Sequence, residues 1–330
     1  MCSDINEKDN SGLRVALGLS IVFAIALTYL TLEIYHQINI ILKEIIPDHG
    51  VGEAEAVAQI TESLRPIGYI ALTLTMALIL IGFILKKQKA VLAGSIALYL
   101  PVFGHFALTM FFLAGIGVVR VLWLPLFDIS AGLFDLGAIV CLPILPLRLA
   151  VRAIWMLMPL LFILPFIIQG LGFMIFLLSA MSWFQGRFKD VRIVDFWAYR
   201  YSRHPQYLGF IVWSYGLLIH ALVAPIPFGG IYFVPSLPWL LSIMLIIGVA
   251  LYEESKMVQK NDEQYLEYRA KTPFLIPLPE SISNLITAPI KLVLKKDWPE
   301  NGREIVVTVI LYSVILMLLS VPLALLPPLM

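Results

Sequence analysis

The chain has 330 residues, of which 60% are hydrophobic and only 14% charged, and its mean hydropathy is +0.90. A soluble globular chain carries roughly a quarter charged residues, so a soluble fold is excluded, as are disorder, collagen and a secreted disulfide scaffold. The net charge of +1 supplies no basic field for nucleic acid. The two cysteines, Cys2 and Cys141, cannot build a disulfide framework or a four-ligand zinc site, so no metal is expected. What remains is an all-α polytopic transmembrane helical bundle.

Residues 1–10 are polar and lack the short apolar core and cleavage site of a signal peptide. Apolar runs then recur: Leu13 to Ile40; Ile67 to Leu85, stopped by Lys86-Lys87-Gln88-Lys89; and Ala90 to Val119, stopped by Arg120. An acidic loop with Glu44, Asp48, Glu53, Glu55 and Glu62 separates the first two. The stretch Val121 to Leu147 is apolar but interrupted by Pro125, Asp128, Asp135, Pro143 and Pro146. It is expected to be a re-entrant or interfacial hairpin, since irregular backbone survives at depth only under protein or beside a water-filled cavity. Ala153 to Trp183 follows, with Pro159 and Pro165 as expected kinks. After a basic connector, Gln185 to Arg203, come Tyr207 to Val223 and Pro238 to Leu251, a polar segment from Glu253 to Glu300, and the last run, Ile305 to Leu326.

The basic segments Lys86–Lys89, Gln185–Arg203 and Lys256–Arg303 should share the cytoplasmic side. Seven crossings put them together, with the N-terminus inside and the C-terminus outside; eight crossings separate the first from the others. The expected division is an N-terminal accessory bundle, 1–152, and a core, 153–330.

Two polar clusters flank one helical hairpin. The first is Tyr199-Arg200-Tyr201-Ser202-Arg203-His204-Pro205-Gln206-Tyr207-Leu208-Gly209; the second is Glu253-Glu254 followed by Asn261 to Pro277. Two antiparallel spans return the chain to the side it left, so Arg203-His204 and Glu253-Glu254 should meet at one membrane face. Pro205 suits the first position of a helix, with His204 or Ser202 at or just before the cap. The free N–H groups of a helix start attract an anion, and Arg203 adds a bidentate fork. His204 and Tyr207, three apart, can share a face, and Gly209 would let another backbone or a flat ligand approach. This arrangement suits a zwitterionic small molecule, although Arg, His and Tyr also serve as ordinary anchors at helix ends. Glu253 and Glu254 need partners beside an apolar phase; for Glu254 a solvated helix end is the simpler expectation. Asn261 with Gln264 resembles a capping box. It would open a short helix carrying Tyr265 and Tyr268, as a lid or as an interfacial anchor, that ends before Pro273.

As a set, Tyr199, Arg203-His204-Pro205, Tyr207, Gly209, Glu253-Glu254, Tyr265, Tyr268, Pro273 and Pro277 resemble the C-terminal signature of the isoprenylcysteine carboxyl methyltransferase family. The related phospholipid N-methyltransferases share its core. The resemblance implies an integral-membrane methyltransferase that uses S-adenosylmethionine and acts on a lipid or prenylated substrate entering from the bilayer. The cofactor pocket would lie at the cytosolic ends of the conserved helices. It also implies that Tyr199, His204, Pro205, Tyr207 and Glu253 contact the cofactor, with Gln206 in the variable slot between them. The Arg203/His204 region would take the methionine carboxylate and Glu253 the nucleoside; Arg203 and His204 are the catalytic candidates. Gly209 and Glu254 complete the expected cofactor set, and Tyr265 and Tyr268 the lid.

The chain departs from the pattern in three places. Trp197 stands where a glycine is usual, Asn261-Asp262 replaces Phe-Gly before the lid helix, and Val249 replaces an arginine tied to prenylcysteine recognition. These leave open an amine-bearing lipid acceptor, to which the Leu-Tyr-Glu-Glu run at 251–254 is also suited; a second alternative is NADPH chemistry as in sterol reductases, which share an Arg-x-Pro-x-Tyr element but whose cysteine- and tryptophan-bearing C-terminal signature is absent after Glu253. A non-enzymatic membrane protein is the third alternative. His105 and His220 lie in apolar runs and read best as core histidines. Gly170-Leu171-Gly172 reads as helix packing rather than a dinucleotide loop.

Overall fold

A computed structural model describes residues 2–46, 54–99, 115–223 and 235–324; His105, read above as a core histidine, lies outside these. Among the described residues there is no strand. The helices are α1 (Cys2–Lys43), α2 (Ala54–Ile84), α3 (Gln88–Tyr99), α4 (Leu124–Ile129), α5 (Leu145–Ala153), α6 (Met158–Phe188), α7 (Ala198–Tyr201), α8 (Pro205–Val223), α9 (Ser236–Lys271), α10 (Glu280–Leu294) and α11 (Gly302–Ala324). Short 3₁₀ stretches occupy Gly115–Trp123, Ala131–Ile144 and Trp155–Leu157.

Seven helical segments among the described residues are long and apolar enough to cross a bilayer: Gly12–Leu30, Ala58–Ile84, Ala131–Val151, Met158–Phe188, Pro205–Val223, Ser236–Lys260 and Gly302–Ala324. The chain is an integral, multi-pass membrane protein of all-α class. Two details differ from the sequence expectation. Of the run Ala90–Val119 only both ends are described, as α3 and the start of a 3₁₀ stretch. The irregular stretch expected at Val121–Leu147 is indeed broken into short pieces, but its part 131–151 has the length and apolarity of a span.

The chain forms two compact units that interleave along the sequence. One comprises Met1–Leu30, Ile167–Tyr215 and Ala250–Glu300; the other Thr31–Phe166, Gly216–Val249 and Asn301–Met330. In the second unit, α2 and α3 form a hairpin turned at Lys86 (φ 58°). Arg65 of α2 bonds Asp128 of α4 at 2.8 Å and also contacts Glu62. Ser95 and Ser242 exchange hydroxyl-to-carbonyl bonds of 3.1 and 3.3 Å. The Ser236 hydroxyl donates to the Phe134 carbonyl at 3.0 Å. Such polar ties between helices suit an apolar medium, where an unpaired group is costly. His220 is half-buried and meets the Phe166 ring edge-on at 5.2 Å.

In the first unit, α6 and α8 cross at two glycines. A Cβ on Gly172 would lie 2.2 Å from the Trp213 nitrogen, and one on Gly209 would lie 2.5 Å from the Phe176 nitrogen. Each glycine thus lets the other helix's backbone close in. The expected packing role of 170–172 is met by Gly172 alone, since nothing lies within 4 Å of a Cβ on Gly170.

Candidate functional site

The start of α8 is built as the residue types dictate. Pro205 occupies the first helical position, where a missing N–H costs nothing. His204 is the cap: its carbonyl accepts from the Leu208 nitrogen at 3.0 Å. The Ser202 hydroxyl accepts from the His204 nitrogen at 3.3 Å. Upstream, Trp197 adopts φ 52°, ψ −119° and leads the turn that starts α7, with the Tyr199 nitrogen donating to the Phe196 carbonyl at 3.1 Å. A glycine adopts such a conformation without penalty, and this is the position where the resembled pattern has one.

The second half of the site differs from expectation. Asn261 does not open a new helix, because α9 runs unbroken from Ser236 to Lys271. Between Glu253 and Lys271 there is no glycine or proline, so nothing stops propagation until the residues before Pro273. The Tyr265 and Tyr268 rings lie 6.0 Å apart. Tyr265 is buried, and the Tyr268 hydroxyl donates to the Tyr199 carbonyl at 2.7 Å. The Tyr268 hydroxyl thus ties the cluster's halves together, and both tyrosines stand on α9 rather than on a separate helix.

The centre is Glu254, and here too the expectation is corrected. Its side chain is 1% exposed, not a solvated helix end. Oε1 lies 3.0 Å from Arg203 Nε and 3.1 Å from His204 Nε2, while Oε2 lies 3.9 Å from Arg269 Nε. An ionised carboxylate only accepts, so His204 Nε2–H is the donor. The Arg203 contact is close but badly angled: Arg203 Nε and Glu254 Oε2 both lack a hydrogen-bond partner. It is a charge contact with bonding capacity left over. Arg203 Nη1 donates to the Arg269 carbonyl at 3.4 Å, and the Arg203 backbone nitrogen donates to the Pro273 carbonyl at 3.0 Å.

Aromatic rings close around the cations. The Arg203 guanidinium stands 5.8 Å from the Phe274 ring and 5.3 Å from the Trp298 ring; Arg269 stands 4.7 Å from Trp298. These are cation–π distances. His204 meets Phe274 edge-on at 5.0 Å and lies 5.8 Å from Tyr207. Tyr207 in turn donates to Glu253 Oε1 at 2.8 Å. Burial lowers the Arg203 guanidinium from its usual value, against the pull of Glu254. Burial also raises the phenols of Tyr199, Tyr265 and Tyr268.

The structure therefore brings together Tyr199, Arg203, His204, Pro205, Tyr207, Glu253, Glu254, Tyr265 and Tyr268. Gly209 is not part of the cluster, for its open face is filled by the Phe176 backbone. Gln206 is half-buried on the first turn of α8. Arg269, Phe274 and Trp298 were missed. Phe274 and Arg269 flank the signature's tyrosines and prolines, and Trp298 is a lone aromatic in a charged segment. No local pattern links Trp298 to residue 203.

Residues 149–272 match the model of a protein family of unknown function, DUF1295, which falls in the steroid reductase and isoprenylcysteine carboxyl methyltransferase-like superfamily. No curated protein and no solved structure matches the chain.

Proposed function

We propose that this membrane protein is an S-adenosylmethionine-dependent methyltransferase acting on a lipid or lipidated substrate. The observation that carries the reading is the closure of the two signature halves around Glu254, with Arg203 at 3.0 Å and His204 at 3.1 Å. The residues fit the cofactor's chemistry. Arg203 Nε and Glu254 Oε2 are a buried donor and acceptor without partners, suited to the carboxylate and ammonium of an amino-acid moiety. Glu253, oriented by Tyr207, would accept from ribose hydroxyls. The cofactor would supply a sulfonium-bound methyl group, which passes to a nucleophile as the thioether leaves.

The chain's own residues would bind, orient and exclude water, which is most of what an in-line displacement requires. Arg203 and His204 are binding groups in this reading, held by Glu254 and walled by Phe274 and Trp298. The acceptor would enter laterally between helices while the polar cofactor enters from the aqueous side. Val249, where an arginine tied to prenylcysteine recognition is usual, is 3% exposed and apolar. This favours an amine-bearing lipid as the acceptor over a prenylated carboxylate.

The test is incubation of the purified protein in nanodiscs with methyl-labelled S-adenosylmethionine and total lipid extract, followed by identification of the labelled product. Glu253→Ala should weaken cofactor binding while leaving the fold intact. Binding of NADPH in place of S-adenosylmethionine, or of neither, would refute the proposal.

A further inference from the structure

Helix α10 lies outside the matched family segment and takes no part in the site. Its exposed large apolar residues fall at Ile282, Leu285, Ile286, Leu292 and Val293. At 100° per residue these positions form one stripe with Pro289. They are 44, 74, 47, 82 and 47% exposed. Ile290, a quarter-turn away, is buried against the protein. The helix is therefore docked by one edge and presents a second, largely exposed apolar stripe. Its charged residues avoid that stripe: Glu280 stands at the first turn, Lys291 on the far side and Lys295 at the left-handed C-cap.

We infer that α10 lies in the headgroup–acyl boundary of the bilayer, with the 282–285–286–292–293 stripe immersed in lipid. Three observations select lipid as the occupant. At 15 residues and about 1.5 Å rise per residue the helix is too short to span a core of about 30 Å. It must lie along a surface. Only residues 295–301 join it to α11, a membrane span, so its end is tethered close to where that span meets water. Its stripe carries no charge, while Lys291 stands on the opposite face and Lys295 and Lys296 follow the helix end, the distribution of an interfacial amphipathic helix. The same segment delivers Phe274 before α10 and Trp298 after it to the Arg203 guanidinium. An immersed α10 thus anchors both aromatic walls of the site to the membrane surface. This inference does not depend on the reaction catalysed.

The test uses full-length protein with Cys2 and Cys141 replaced by alanine, reconstituted in phosphatidylcholine–phosphatidylglycerol nanodiscs. Single nitroxide labels are placed at Leu285 and Leu292, with Asn284 as the polar-face control; Ile282 and Val293 serve if either first site yields unfolded protein. Immersion predicts collision with oxygen several-fold above that with an aqueous nickel complex at 285 and 292, at a depth of about 5–10 Å, and the reverse at 284. Aqueous behaviour at all sites would overturn the inference. So would shielding from both reagents with dipolar broadening between copies, which would show a second chain on the stripe. Loss of methyl transfer with an immersed helix would sink the enzymatic reading alone.

Discussion

Replacing Glu254 by glutamine keeps the side chain's shape and removes its charge. The carboxylate is 1% exposed and Arg203 5%, so the guanidinium would be stranded in a dry site. Breaking such a buried pair by removing one partner typically costs about 3–5 kcal/mol. Two features set the expectation at the lower end. Arg203 makes no hydrogen bond through Nε, so only a charge contact is lost. Its cation–π contacts to Phe274 and Trp298 persist, together worth about 1–2 kcal/mol. Glu254→Gln should therefore destabilise the fold by about 3 kcal/mol. Arg203→Met alone should cost a similar amount. The double variant should cost less than both together, by a coupling of about 1–3 kcal/mol. The assay is equilibrium denaturation of the four members of the cycle in mixed micelles, followed by tryptophan fluorescence. Simple additivity would show that Arg203 and Glu254 do not hold each other, and the joining of the two signature halves would lose its physical basis.

Trp197→Gly should be at least as stable as the natural chain, and Trp197→Ala less stable than the glycine variant by about 1 kcal/mol. The reason is that φ 52° strains any residue with a Cβ; equal stability of Gly and Ala in thermal melts would contradict this. Gly172→Leu should cost several kcal/mol or abolish folding, because the first added carbon meets the Trp213 backbone at 2.2 Å; Gly170→Leu, with open space around it, is the matched control and should express normally. Raising the pH should weaken the fold above about pH 10. There the unfolded chain releases tyrosine protons that Tyr199, Tyr265 and Tyr268 retain when folded, their phenols being raised by burial. With fewer protons bound in the unfolded state, stability falls as pH rises, and below that pH these groups contribute no slope. A tyrosinate absorbance titration that coincides in the native and denatured protein would refute the assignment.

The start of α8 was legible because its signals are local: proline at the first turn, serine and histidine just before it, a helix running on until 223. The end of α9 before Pro273 was legible for the same reason. The capping-box reading at Asn261 failed because a polar pair mid-helix looks like a start signal, and only the absence of a breaker on either side argued otherwise. Glu254 was read as solvated because adjacent carboxylates at a helix end ordinarily face water. Its neighbours are Arg203, His204 and Arg269, two of them across a hairpin.

Membrane class, helical architecture and the meeting of the Arg203 and Glu253–Glu254 segments were written in composition, apolar run length and charge asymmetry, since hydrophobicity and backbone bonding act residue by residue. Which carboxylate pairs with which cation, which glycine serves packing, and which rings wall the site arose only on folding. Those outcomes depend on distances of a few ångströms between residues up to 95 positions apart, as for Arg203 and Trp298, and no local propensity encodes a contact of that separation.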